Sequence, residues 1–90
     1  MSYLRTTNNN QLEIYRRRMR LSAKQVANLL GHRGTSALLH YERGSRLPSL
    51  KNALKLGAIL RVPLEFIFPS LYDYLRQDVR FKEESLIRER

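Results

Sequence analysis

The residues best suited to chemistry in this 90-residue chain lie in one stretch, GHRGTSALLHYERGSR, at positions 31–46. Thr35, Ser36 and His40 supply short hydrogen-bonding side chains, and Arg43 and Arg46 supply permanent positive charge. Such a set can read donors and acceptors on a surface and neutralise anions beside it. Turnover chemistry needs more than this. The two histidines, His32 and His40, have no carboxylate or cysteine at ligand spacing, so neither a metal site nor a catalytic histidine is expected. There is no phosphate-cradling glycine loop, no nucleophile with a base at workable spacing and no paired carboxylates. An enzyme is therefore not expected, and no cofactor is implied.

Composition narrows the partner. The chain has no cysteine, which excludes a disulfide framework and any cysteine-ligated zinc. Its 17 Lys and Arg against 8 Asp and Glu give a net charge of +9, distributed unevenly. Residues 1–34 carry +6, residues 35–69 carry +3, and residues 70–90 are neutral. A basic body with a neutral tail suggests a polyanion for the body and a different partner, or none, for the tail. The start, MSYLRTTNNN, has no apolar leader, and no run approaches the roughly 20 apolar residues of a membrane span, so the cytoplasm is the expected compartment.

The elements that must position the 31–46 stretch read as helices. Residues 1–9 read as an arm, 10–69 as the body and 70–90 as a helical tail, with Asn8–Asn10 as a helix-start signal. Leu12, Tyr15 and Met19, joined by Ile14, recur at helical spacing. Arg16, Arg17, Arg18 and Arg20 fill the rest of that first helix, as an anion-binding patch or a plain solvated face. Ser22 and Gln25 have capping-box spacing, and Val26, Leu29 and Leu30 with Ala23 and Ala27 make an apolar stripe that Gly31 ends. A third helix, about 35–43, is capped by Thr35 or Gly34 and ended by Gly44. Leu38, Tyr41 and Glu42 face inward on it, and Ser36, Leu39, His40 and Arg43 face outward. Being so short, it must be held by packing against the second helix.

Ser49 is placed to cap a fourth helix whose Leu50, Ala53, Leu54, Leu56, Gly57 and Leu60 line the core. PLEFIF reads as a fifth, with Pro63 at a first helical position and Pro69 as its stop. In the tail, Ser70 and Asp73 have capping-box spacing, and Leu71, Tyr74, Leu75, Val79 and Leu86 give an amphipathic sixth helix that frays at its far end. Its stripe either lies on the body or serves as a dimer or partner surface. The expected fold is all-α, five helices in the body followed by a C-terminal amphipathic helix.

Two helices joined by a glycine-containing turn, the second short and exposed on one face, have the form of a helix-turn-helix unit. A major groove about 12 Å wide admits one such helix, provided that small or hydrogen-bonding side chains face the base edges. The sequence LSAKQVANLLGHRGTSALLHYERGSRLPSLKNALKLGAILRVPLEFIF resembles the five-helix domain of the lambda-repressor/Cro (XRE-type) family. The resemblance covers residues 10–69 and rests on LS opening helix two, VANLLG closing it, YERG ending helix three, LPS starting helix four and VPLEFIF as helix five.

That resemblance implies base contacts from Thr35, Ser36, Leu39 and His40, with Leu39 suited to a thymine methyl. It implies phosphate contacts from Arg43, Arg46 and Lys51. Ala23 stands where many members carry a glutamine near the phosphate backbone, which leaves Lys24, Gln25 or Arg33 to take that contact. The turn GHRGTS is one residue longer than is usual in the family. Glu42 matches an acidic position that is structural there. The implied function is sequence-specific regulation of transcription, as a repressor that binds double-stranded DNA as a homodimer on a palindromic site. The setting would be a bacterial or phage-type cytoplasm, with the protein nucleoid-associated. An alternative is an antitoxin-like or adaptor module whose tail at 70–90 binds a partner protein, with DNA binding autoregulatory.

Overall fold

Local capping chemistry marks out the helices of the computed structural model, which describes residues 9–88. Helix α1 (Leu12–Arg18) starts beside Asn10, whose Oδ1 accepts from the Leu12 amide at 3.0 Å. Helix α2 (Ala23–Leu30) carries the complete Ser22–Gln25 capping box and ends on Gly31 at φ 88°. Helix α3 (Ser36–Arg43) ends on Gly44, and α4 (Leu50–Leu60) is capped by the Ser49 hydroxyl, which accepts from the Asn52 amide. Helix α5 (Leu64–Ile67) is a single turn, and α6 (Pro69–Arg88) runs for 20 residues. All regular structure among the described residues is helical. The expected arm at 1–9 lies, apart from Asn9, outside them.

Each of the first five helices contributes to one core. Leu12 comes from α1, Val26 and Leu30 from α2, Leu38 and Tyr41 from α3, Leu56 and Leu60 from α4, and Ile67 from α5. Removing a leucine of this kind costs about 2–5 kcal/mol. Helix α3 has only eight residues and would be marginal alone, so its tertiary ties matter. Leu38 is fully buried, the Tyr41 carbonyl accepts from Asn10 Nδ2 at 2.9 Å, and the Tyr41 hydroxyl accepts from Asn52 Nδ2 at 3.1 Å. Glu42 anchors it to α1.

That anchor corrects the reading of the arginine run. Arg16 is buried, not solvated and not an anion patch: its Nε donates to Glu42 Oε2 at 2.6 Å, and its Nη1 donates to the Leu21 carbonyl at 3.0 Å. The hydrogen bond to Glu42 holds the guanidinium above its ordinary range against the opposing pull of desolvation, so it stays charged. Arg17 pairs with Glu13 on the surface, and Arg18 lies over the Tyr15 ring. Glu42 is scaffold, as expected.

Several apolar positions face the other way from their expected side. Ile14, Met19, Leu29, Leu50 and Leu54 are exposed, Leu50 most of all. Periodicity gives each helix an apolar arc, and the neighbours decide which part is covered. On α2 the buried set is Val26, Ala27 and Leu30, and Leu29 is turned about 100° from Leu30. On α4 burial is complete only at Leu56 and Leu60.

The prolines and the tail also depart from expectation. Pro63 sits at the N-cap of α5 in extended conformation, one place before the first helical position. Helix α5 does end before Pro69, with Phe68 outside the helical region, but Pro69 also starts α6, where its missing N–H costs nothing. Because the helix is already under way at Ser70, the Ser70–Asp73 capping box does not form, and Asp73 accepts from Arg76 and Gln77 instead. Leu71 packs against the core, Tyr72 and Leu75 border an apolar groove on the body, and no residue of α6 is buried. The far end stays helical to Arg88 and does not fray before it.

Candidate nucleic-acid interface

The turn between α2 and α3 is built to be rigid. Gly31 takes the left-handed conformation, and the amides of Gly31 and His32 donate to the carbonyls of Asn28 and Ala27, both at 2.9 Å. Lys55 of α4 reaches across to donate to the Leu30 carbonyl at 3.1 Å. A cation at a helix C-terminus also offsets the partial negative charge there. These ties, with the buried Arg16–Glu42 pair, fix how far α3 projects from the body.

Along α3 the side chains that the core does not take are Ser36, Leu39, His40 and Arg43, spaced three and four apart on one face. Ser36 and Arg43 are exposed, and Leu39 and His40 are half-buried. Thr35, half-buried, occupies the N-cap position without a capping hydrogen bond, so capping does not consume its hydroxyl. The Ser45 hydroxyl donates to the His40 carbonyl at 3.3 Å and lies 2.9 Å from His40 Nδ1. The Ser45 contact occupies Nδ1 and leaves Nε2 as the ring nitrogen open to a further partner.

Beside the N-terminal end of α3, one hollow of about 500 Å³ gathers the Ser22 cap and Lys24, Gln25 and Asn28 of α2 with His32, Arg33 and Gly34 of the turn. Three of the expected phosphate contacts, Lys24, Gln25 and Arg33, thus share one place. Gln25 Oε1 accepts from the Ser22 amide at 2.8 Å, which leaves Nε2 as the atom with a donor to offer an anion. Arg46, in the loop after α3, and Lys51, in the first turn of α4, are exposed but do not line this hollow. Arg43 is likewise separate from it.

Among the lining residues that were not expected as contacts, Asn28 and His32 add polar side chains outside the helix cap. Asn28 follows Lys24 by four residues, so helical spacing carries the signal for it. His32 gives a structural signal only: its Nδ1 is buried without a hydrogen-bond partner among the described residues. The same residues offer no group of three or more His, Cys, Asp or Glu able to hold a metal. No helix among them is long and apolar enough to cross a membrane.

A rigid glycine turn, a short helix with its polar face outward and cations clustered at the turn define a helix-turn-helix DNA-binding protein. The profile of the helix-turn-helix family matches residues 12–67, and the chain belongs to that family, in its lambda-repressor/Cro (XRE) form. In kind, it is a DNA-binding regulator of transcription. No curated protein and no solved structure matches the chain.

Proposed function

We propose that this protein is a sequence-specific transcriptional repressor that binds duplex DNA as a homodimer on a palindromic site, with α3 in the major groove. The observation that carries this reading is the placement of Ser36, Leu39 and His40 along one uncommitted face of α3, beside the hollow of Lys24, Gln25 and Arg33. Thr35, Ser36 and His40 take the base edges, and Leu39 meets a thymine methyl. His40 presents Nε2 to a base edge, because Nδ1 is held by Ser45. Lys24, Gln25 and Arg33 hold one phosphate run at the start of α2, where the helix dipole favours an anion. Arg43, Arg46 and Lys51 hold the run at the other end of α3.

Selection of bound duplexes from a randomised pool tests the reading, followed by titration of the winner against scrambled DNA at two salt concentrations. The expected result is an enriched palindrome bound at least about 10³-fold more tightly than scrambled sequence. With about six phosphate contacts, log K falls with log salt at a slope of about −5. Arg43→Ala lowers affinity for all sequences alike, whereas Ser36→Ala or His40→Ala relaxes the preference at one base pair. Salt-sensitive binding with no enrichment would remove base reading by α3. A change of preferred base on Arg43→Ala would overturn the division between phosphate and base contacts. The adaptor reading, in which α6 binds another protein and DNA binding is autoregulatory, draws on the exposed apolar face of that helix.

A further inference from the structure

Tyr72, Leu75, Val79 and Leu86 lie along one side of α6, and each is about half exposed or more. Their spacings of three, four and seven are those of a heptad seam, with Lys82 in the one seam position that is not apolar. Near its start the seam opens into an apolar groove of about 390 Å³ between Leu47, Pro48 and Leu50 of the body and Phe68 and Leu71. Leu75 lines that groove too, so seam and groove are one continuous surface. A 20-residue helix with no buried side chain gains only a few tenths of a kcal/mol from each of its own ion pairs. It needs a cover.

We propose that the cover is α6 of a second copy of this chain, running antiparallel, with the partner's Leu86 against Leu75 at the mouth of the groove. Two observations select this occupant. Residues 70–90 have no net charge, five basic side chains against five acidic, so the tail has no long-range attraction for an acidic or a basic partner but matches itself. The order of those charges then selects the direction. In a parallel pair Lys82 meets the partner's Lys82 inside the seam, and Asp78 flanks the partner's Glu83, which sets like charges together twice. In the antiparallel pair Lys82 lies opposite the partner's Val79, beside its own Asp78 at 3.0 Å, and Arg76 falls beside the partner's Glu83. Sliding the antiparallel pair by one heptad sets Arg76 against Arg76 and Asp78 against Asp78, so the register is selected as well. Phe81, on the opposite side of α6, takes no part.

In this register 23 helical residues separate the two Pro69 ends, about 35 Å along the axis. The inference rests on the homodimer proposed above and adds the surface that forms it.

Because the chain has no native cysteine, introduced ones report alone. Oxidative crosslinking of the full-length chain is compared for Leu75→Cys, Leu86→Cys and the double variant; both positions are exposed, so the body keeps its fold. The double variant is expected to run at twice the monomer mass and each single variant at the monomer mass. Crosslinking of the single variants would indicate a parallel pair and overturn the proposal. So would a double variant that stays uncrosslinked, or a wild-type chain that sediments as a monomer. DNA selection with the same wild-type chain separates the two failures: a monomer that still enriches a half-site keeps the DNA reading and loses this interface.

Discussion

Arg16 and Glu42 are 26 residues apart in sequence and meet at 2.6 Å with both side chains nearly removed from water. The four ion pairs of α6, Arg76–Asp73, Arg80–Glu83, Lys82–Asp78 and Arg88–Glu84, join residues three or four apart on an exposed face. The chemistry is the same in both regions, and the consequence differs. A buried pair obliges two distant parts of the chain to stay together, because a partner left alone there keeps a charge without water. An exposed pair exchanges one solvated arrangement for another and contributes little. The ion pairs of the body thus tie distant parts of the chain together, whereas those of the tail join only near neighbours.

The largest expected effect removes one member of the buried pair. Arg16→Ala should cost about 3–5 kcal/mol, lowering the melting temperature by about 15–30 °C. Arg16→Met with Glu42→Leu should restore most of that loss, since no charge is then stranded. If calorimetry found the single variant within a few degrees of wild type, the contrast between the regions would disappear. A local contact of the body comes next. Ser22→Ala removes the cap that accepts from the Gln25 amide at 3.0 Å, and thermal unfolding should show a loss of about 1 kcal/mol. The smallest effect belongs to the tail: Asp73→Asn, which breaks the pair with Arg76, should change stability by no more than about 0.5 kcal/mol. A loss as large as that of Ser22→Ala would show that α6 is tied into the body more firmly than its exposure implies.

The same distinction explains what could be read from the sequence. Ser22, Ser49, Gly31 and Gly44 marked helix ends correctly because a cap is decided within four residues. The third helix and its inward Leu38, Tyr41 and Glu42 were legible because so short a helix leaves few ways to bury an apolar stripe. Leu29, Leu50 and Leu54 were misplaced because a leucine-rich helix offers more apolar arc than its neighbours cover. Arg16 was hidden in a run of arginines, since nothing local separates a solvated guanidinium from one whose partner lies on another helix. At the candidate site, Lys24, Gln25 and Arg33 were named for their chemistry and family position. Their meeting in one hollow, and the presence of His32 beside them, depended on the path of the turn.

Gly31 has one more consequence, for the way this sequence can drift. The chain accepts a side chain in left-handed backbone at Arg20 and Arg61, at φ 59° and 60°. Those values fall inside the narrow well, about +50° to +70°, that L-residues can enter. At 88° Gly31 stands beyond it, and a β-carbon there would lie 3.8 Å from Lys55 Nζ, the group that holds the Leu30 carbonyl. The two positions are therefore unequal in inheritance. A descendant can exchange Lys55 for another residue, losing one hydrogen bond, and keep its turn. One that replaces Gly31 must first bend the turn, and with it the angle at which α3 leaves the body.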